Sequence, residues 1–196
     1  MNAASNPSTS MALPLAHRRF SLSEYEAMVE HGILTPDDRA ELLSGEIVEK
    51  MTIGSRHAAC VSRLECAFRK ALGDRILLRT ASPVALPPNS EPEPDVALLR
   101  PREDFYAAKH PRATDVFLVI EVADSSLWVD RTIKLELYAA AGIPEYWIVD
   151  LTSNAIEIYT APRGGAYSRK SIASSDEAIA LVAFPDFALC AANVIP

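Results

Sequence analysis

The hydrophobic and polar positions of this chain are organised around one long apolar run near its middle. Residues 116–123 read Val-Phe-Leu-Val-Ile-Glu-Val-Ala, with one acid, Glu121, inside the run. A run of this length, rich in Val and Ile and bounded by polar residues, predicts a buried central strand. An unpaired carboxylate there would cost several kcal/mol in desolvation. Another group must therefore compensate the charge of Glu121.

A second acid stands at the start of a shorter apolar segment, residues 96–99. Asp95 follows Pro94 and directly precedes this segment. Side chains alternate between the two faces of a strand, so Asp95 and Glu121 can face each other if the two strands are neighbours. A divalent metal shared by the two carboxylates would then compensate the buried charge. Two alternatives stay open: a turn role for Asp95 after proline, and a buried arginine as the partner of Glu121.

The periodicity of the first half of the chain predicts two helices and a helical turn. Ser21 and Glu24 have the spacing of a capping box and predict a helix from Leu22 to about residue 31. Pro36, followed by two acids, predicts a helical turn that continues through residues 39–43. Apolar residues at helical spacing predict a long helix over residues 56–72.

The remaining segments alternate between strand and helix patterns. Strands are predicted at residues 46–51, 75–86 and 146–149, and a hairpin at residues 156–172. Arg79 lies on the second of these strands and is expected near the site. A helix is predicted from about residue 126 to 141, because Gly142 and Pro144 end it. Strand, helix and strand in this order predict a right-handed parallel crossover.

These elements predict an α/β fold with a mixed sheet flanked by helices. The 196 residues suit one domain, which we expect over residues 20–196 after a disordered segment at residues 1–19. No apolar stretch approaches the roughly 20 residues of a membrane span, and the first residues have no signal-peptide pattern. Three scattered cysteines indicate a reducing compartment. We therefore expect a cytoplasmic protein without a membrane partner.

Composition narrows the function classes. The formal net charge is -7 at pH 7, which argues against a basic coat that binds any nucleic acid, but not against a local basic groove. The polar connection at residues 100–115 supplies local positive charge, and a connection this long is often functional. No glycine-rich phosphate loop and no nucleophile elbow occur in the sequence.

Several motifs, taken in chain order, resemble the Uma-two family of restriction-type endonucleases in the PD-(D/E)XK nuclease superfamily. The resemblance covers about residues 20 to 170. It rests on the stretch from Glu41 to Glu46, on His57, Pro94-Asp95-Val96, Val119-Ile-Glu-Val122, Asp130, Lys134, Tyr138-Ala139, and the stretch from Gly142 to Asp150. Two departures are visible: the family's Ser-Pro-Ser-like stretch is Asp124-Ser125-Ser126 here, and Ala123 stands where the superfamily has its lysine.

The resemblance implies a Mg²⁺- or Mn²⁺-dependent endonuclease that hydrolyses phosphodiester bonds of nucleic acid, with DNA as the expected substrate and a homodimer as the expected assembly. It implies that Asp95 and Glu121 bind the metal. Lys134, on the helix after the strand, would replace the missing lysine. Glu46 and His57 would have secondary catalytic roles.

Structural interpretations of the same residues remain open. Lys134 could be a surface partner of Asp130 four residues earlier, and His57 could be a structural histidine. Glu46 is chosen as the acid that superfamily members contribute from an early element. The rival function is a catalytically inactive nuclease-fold module that binds nucleic acid or a protein partner.

Overall fold

The structure is a computed structural model and describes residues 17–174 and 176–196. Of the predicted N-terminal segment, residues 1–16 lie outside the described residues. No helix in the described part of the chain is long and apolar enough to cross a membrane.

The chain begins with a helix and a small hairpin. Helix α1 (Leu22–Glu30) starts with the predicted capping box, in which Ser21 and Glu24 bond each other's backbone. A short 3-10 turn (Pro36–Asp38) follows, and strands β1 (Ala40–Leu43) and β2 (Glu46–Glu49) pair antiparallel. The prediction of helix over residues 39–43 was wrong. Arg39 has a left-handed φ of 46°, which ends the turn, and the chain leaves it as β1.

The long predicted helix is confirmed as α2 (Ser55–Leu72), and it buries Leu64, Phe68 and Leu72. A 3-10 turn (Gly73–Arg75) leads to β3 (Leu77–Thr80), which is much shorter than the predicted strand. The strand stops because Ala81 adopts a left-handed φ of 42°. Strands β4 (Val96–Leu99) and β5 (Val116–Ala123) follow, separated by residues 100–115.

The predicted crossover helix is present but has three parts. Two short α-helices, α3 (Leu127–Val129) and α4 (Leu135–Ala141), flank a π-helical turn (Asp130–Lys134). The helix ends at Gly142, which has a φ of 78°, as the sequence predicts. Strand β6 (Glu145–Asp150) then pairs parallel with β5. The predicted parallel strand-helix-strand unit is therefore confirmed.

The C-terminal part completes the sheet and covers one of its faces. Strands β7 (Ala155–Arg163) and β8 (Ala166–Ala173) form the predicted hairpin. A second small hairpin, β9 (Ala178–Ala180) with β10 (Ala188–Cys190), is followed by a 3-10 turn (Ala191–Asn193). In the described residues the main sheet has six strands in the order β3-β4-β5-β6-β7-β8.

Both faces of the sheet are covered, which confirms the predicted α/β fold. Leu64 and Phe68 of α2 pack on one face together with the C-terminal segment. Tyr138 of α4 packs on the other face, against Val119 and Tyr146. The C-terminal end of β5 lies between these layers, and its acid is the starting point of the candidate site.

Candidate active site

The strand register places Asp95 beside Glu121. Strand β4 pairs antiparallel with β5, with Val96 opposite Ile120. Asp95 precedes Val96 and Glu121 follows Ile120, so the two acids are the next pair in this register. Oδ2 of Asp95 accepts a hydrogen bond of 2.7 Å from the backbone N–H of Val122. The backbone of β5 therefore fixes the Asp95 carboxylate next to the buried Glu121.

Lys134 reaches these acids from the π-helical turn. Its Nζ lies 3.0 Å from Oε1 of Glu121 and 3.2 Å from Oε1 of Glu41, and only 6% of the residue is exposed. Burial alone would lower the pKa of Lys134, but the charges of Glu121, Glu41 and Asp130 outweigh burial and raise it. The lysine is therefore a buried, protonated cation shared by two carboxylates, not a surface partner of Asp130.

Burial raises the pKa of Glu121 well above its ordinary value, and the positive charge of Lys134 opposes that rise. The hydroxyl of Tyr138 donates a hydrogen bond of 2.8 Å to Oε1 of Glu121. Lys134 bonds the same oxygen. Among the described residues, the hydrogen bonds to Glu121 thus use one carboxylate oxygen, so Oε2 is available to another ligand.

Asp130 extends the buried polar network on the crossover helix. Its Oδ2 accepts a hydrogen bond of 2.6 Å from the hydroxyl of Ser126, and burial raises its pKa to about 6. The hydroxyl of Tyr146 donates to the backbone carbonyl of Asp130 at 3.1 Å. The Tyr146 ring also lies 4.9 Å from that of Tyr138. The π-helical turn is therefore tied to the sheet on the side that carries the acids.

His57 enters the site from the first turn of α2 and contacts Asp95. Its Nε2 lies 3.0 Å from Oδ2 of Asp95. This hydrogen bond raises the pKa of His57, although burial acts in the other direction. Its other ring nitrogen, Nδ1, is buried without a hydrogen-bond partner among the described residues. A polar atom left without a partner in a cleft indicates a place for a water molecule or a ligand group.

The structure places Glu41 beside Lys134 and leaves the predicted Glu46 outside the cleft. Glu41 lies on β1, where Oε1 faces Lys134 and Oε2 accepts a hydrogen bond of 3.0 Å from the backbone of Glu93. Glu46, at the start of β2, is more than half exposed and forms an ion pair with Arg19 at 3.2 Å. The structure does not bring Glu46 into the cleft that holds the other predicted residues.

A cleft of about 190 Å³ lies between the β1–β2 hairpin, the start of α2 and the crossover helix. The site residues that line it are Glu41, His57, Asp95, Glu121, Asp130 and Lys134. Its described lining contains seven acids, two lysines and His57, and no arginine. Both lysines are paired, since Lys50 lies 2.6 Å from Glu93 and Lys134 bridges two acids. The cleft is therefore strongly negative, which favours a bound cation.

The donor set fits an open magnesium site. No group of three or more His, Cys, Asp or Glu residues in the described part of the chain is arranged to enclose a metal. Mg²⁺, however, requires only one or two carboxylates, with water and substrate oxygens as its other ligands. Asp95 also uses a single oxygen, Oδ2, for its described hydrogen bonds. Asp95 and Glu121 thus each retain one oxygen for a hard cation.

The family model described as "Putative restriction endonuclease", Uma2, matches residues 22–193. The chain belongs to the Uma2 family. The predicted resemblance is thereby confirmed, and a nuclease function follows from the family.

A solved structure supports the fold. The chain is similar to the crystal structure of "a putative nuclease belonging to DUF820" from Anabaena variabilis, with a TM-score of 0.72 at 15% sequence identity. The match covers 90% of this chain and 97% of the other. No curated protein matches the chain.

Sequence reasoning gave no separate role to two residues of the network, Glu41 and Tyr138. Both stand in the motifs that carry the family resemblance. Glu41 lies in the segment predicted as a helical turn, whereas the structure places it on strand β1 beside Lys134. The signal for Tyr138 was its spacing, because Asp130, Lys134 and Tyr138 are four residues apart and share one helix face.

Proposed function

We propose that this protein is a Mg²⁺-dependent endonuclease that hydrolyses phosphodiester bonds of DNA. The family supports nuclease chemistry. One observation carries the finer assignment: the buried ammonium of Lys134 lies 3.0 Å from Glu121, whose register neighbour is Asp95. The site thus contains two acids and a lysine, even though Ala123 occupies the position, two residues after Glu121, where the superfamily has its lysine.

Asp95 and Glu121 would hold the cation through the oxygens that make no described hydrogen bond. When bound, Mg²⁺ would offset charge on the phosphoryl group and lower the pKa of a nucleophilic water. The His57 ring would orient Asp95 through the bond between Nε2 and Oδ2. The backbone N–H of Val122 would fix the same oxygen.

Lys134 would act as a fixed positive charge and not as a general base. Its raised pKa keeps the amine protonated at neutral pH, so Nζ has no lone pair with which to accept a proton. A protonated amine beside the cleaved phosphate stabilises the negative charge that develops in the transition state. Glu41 would hold Nζ in place together with Glu121.

Three further expectations remain predictions from the sequence and the resemblance: a homodimer, a cytoplasmic location, and a single domain over residues 20–196. A symmetric dimer would give the enzyme two sites for the two strands of a duplex. None of these expectations is required for hydrolysis at a single site.

Nicking of a supercoiled plasmid tests the proposal. We expect the purified protein to convert the plasmid to open-circular and linear forms with Mg²⁺ or Mn²⁺, and not with chelator. The Asp95→Asn variant should be inactive at every metal concentration, and Lys70→Met, which changes an exposed residue of α2, should match the wild type. Equal, metal-independent activity of wild type and Asp95→Asn would contradict the proposal, and no cleavage by either would favour a binding module.

A further inference from the structure

The connection between β4 and β5 presents an aromatic ring to solvent. Phe105 lies in this connection and is 69% exposed. Phe105 and Tyr106 both have a left-handed backbone, with φ of 49° and 58°. Bulky residues rarely adopt this conformation, which is strained and is concentrated at functional sites. The local backbone thus holds the Phe105 ring outward at an energetic cost.

Two arginines surround this aromatic pair. Arg79 on β3 donates a hydrogen bond of 2.7 Å to the backbone carbonyl of Phe105. Its guanidinium also lies 5.6 Å from the centre of the Tyr106 ring, and that of Arg102 lies 4.4 Å from the same ring. We call Arg79, Arg102, Phe105 and Tyr106 the Phe105 platform. It combines the exposed ring of Phe105 with two guanidinium groups that lie over the ring of Tyr106.

The charge around the platform differs from the charge in the catalytic cleft. The platform borders a second cleft, whose described lining has three arginines, Arg69, Arg79 and Arg102, against two acids, Asp74 and Glu103. Arg69 and Arg102 pair with Glu65 and Asp104, at 2.9 and 2.7 Å, whereas the described hydrogen bond of Arg79 goes to a carbonyl. The catalytic cleft has seven acids and no arginine among its described lining residues. A polyanionic substrate therefore needs attraction from outside the catalytic cleft.

One residue of the platform, Arg79, has its backbone close to the candidate catalytic acids. Arg79 pairs with Ala97, which is two residues after Asp95 on β4. Adjacent strands are about 4.8 Å apart and two residues span about 6.7 Å, so the Cα atoms of Arg79 and Asp95 are about 8 Å apart. One strand of a nucleic acid rises about 3.4 Å per nucleotide. The separation therefore corresponds to between about two and three nucleotides.

We propose that the Phe105 platform binds a single-stranded segment of the substrate next to the cleaved phosphate. One base would stack on Phe105, and the flanking phosphates would contact Arg79 and Arg102. Aromatic rings beside basic groups are the common means of holding unpaired nucleic acid, because every base has a face that can stack. This inference rests on the proposed function, since it names how the substrate is held next to the phosphate that the same site cleaves.

The test measures binding separately from cleavage. The fluorescence anisotropy of a labelled oligothymidylate is followed in chelator, where metal-dependent hydrolysis cannot proceed. We expect the wild type to bind it more tightly than an abasic oligonucleotide of the same length or a blunt duplex. Phe105→Ala should weaken binding about tenfold or more, and Phe105→Trp should retain it. Ile172→Ala, which removes an exposed side chain on β8, is the matched control and should bind as the wild type does.

The arginine part of the platform has its own readout. Arg102→Gln should reduce the slope of log affinity against log salt by about 0.7, and Arg163→Gln, at the end of β7, should not change it. Equal oligothymidylate affinity of wild type and Phe105→Ala, or no preference over the abasic strand, would overturn the inference. The inference would also be overturned if the wild type is an oligomer that the Phe105→Ala substitution dissociates without loss of oligonucleotide binding. Phe105 would then be a contact between protein chains.

Plasmid nicking by the same preparations separates this inference from the proposed function. If the protein nicks the plasmid but its oligonucleotide binding does not depend on Phe105, the platform inference is wrong and the proposed nuclease function stands. If its binding depends on Phe105 but the plasmid is not nicked, the platform inference stands and the proposed nuclease function is wrong.

Discussion

Tyr138 donates its hydroxyl hydrogen to Oε1 of Glu121, the carboxylate oxygen that also faces the ammonium of Lys134. Two donors on one oxygen fix the plane of the carboxylate. They also leave the second oxygen uncommitted among the described contacts. The hydroxyl of Tyr138 therefore helps to define which oxygen of Glu121 can reach a cation.

Replacement of Tyr138 by phenylalanine tests this relationship. Tyr138→Phe retains the buried ring and removes one hydrogen bond, so the free energy of unfolding should fall by about 1–2 kcal/mol. Cleavage should slow about tenfold at saturating Mg²⁺, because Glu121 loses one of the two groups that orient it. Urea denaturation and single-turnover plasmid cleavage measure the two effects. Tyr167→Phe, which removes a hydroxyl bonded to the carbonyl of Ile143, is the control and should leave the cleavage rate unchanged.

Lys134 should be required for cleavage and not for DNA binding. Lys134→Met removes the buried cation, so cleavage should fall about 100-fold or more while DNA affinity is retained. Removal of one partner from a buried ion pair costs about 3–5 kcal/mol, so the variant should also be less stable. Lys134→Arg should restore stability better than activity, because a planar guanidinium cannot replace a compact ammonium. Single-turnover cleavage equal to wild type in Lys134→Met would remove the lysine from the site.

Asp95 and Glu121 should determine the affinity for metal. Asp95→Asn and Glu121→Gln should each weaken Mn²⁺ binding in calorimetry, and Glu46→Gln should not, since Glu46 pairs with Arg19 outside the cleft. The wild type should gain about 2.7 kcal/mol of stability at a metal concentration 100 times its dissociation constant. Unchanged Mn²⁺ affinity in the Asp95 and Glu121 variants would show that the cation binds elsewhere.

Glu91 should make stability depend on pH. Its side chain is buried, its Oε2 has no described hydrogen-bond partner, and burial raises its pKa from 4.5 to about 7, with smaller effects from Glu26 and Glu93. A raised pKa means that the folded state binds the proton more tightly than the unfolded state. This stability is fully present below pH 4.5 and is lost as pH rises through about 7.

Glu91→Gln should therefore be more stable than the wild type at pH 8, by up to about 3 kcal/mol, and similar to it near pH 4.5. Chemical denaturation of metal-free protein across this range measures the difference. Glu136→Gln, at an exposed position of α4, provides the control and should follow the wild type. A constant difference between Glu91→Gln and wild type at all pH values would contradict the prediction.

The fold followed from the sequence where a repeating pattern specified it. The apolar run with Glu121, the long helix α2 and the crossover helix each contain enough periodic residues to define an element. Strand alternation also predicts that Asp95 and Glu121 can face each other if their strands are neighbours, and the structure pairs β4 with β5 in that register. These parts depend on local spacing, which one sequence contains.

The element boundaries that the sequence did not predict depend on backbone conformations that have no strong local signal. Arg39 and Ala81 both take left-handed φ values without being glycine, and both end a segment that the sequence extends. The sequence predicts a helical turn over residues 39–43, whereas the structure has strand β1 there. A strand puts Glu41 across from Lys134, which is a long-range contact that periodicity does not encode.

The π-helical turn at Asp130–Lys134 makes the site sensitive to chain length. A π-helical turn contains one more residue than an α-helical one, and one residue in an α-helix corresponds to about 100° of rotation. Deletion of a single exposed residue from this turn would let the helix become regular, and would rotate everything before it relative to Tyr138. Family members are therefore expected to vary in the identity of residues 131–133 but to preserve their number. Insertions and deletions should be tolerated in the β7–β8 turn, and they should be absent from the π-helical turn.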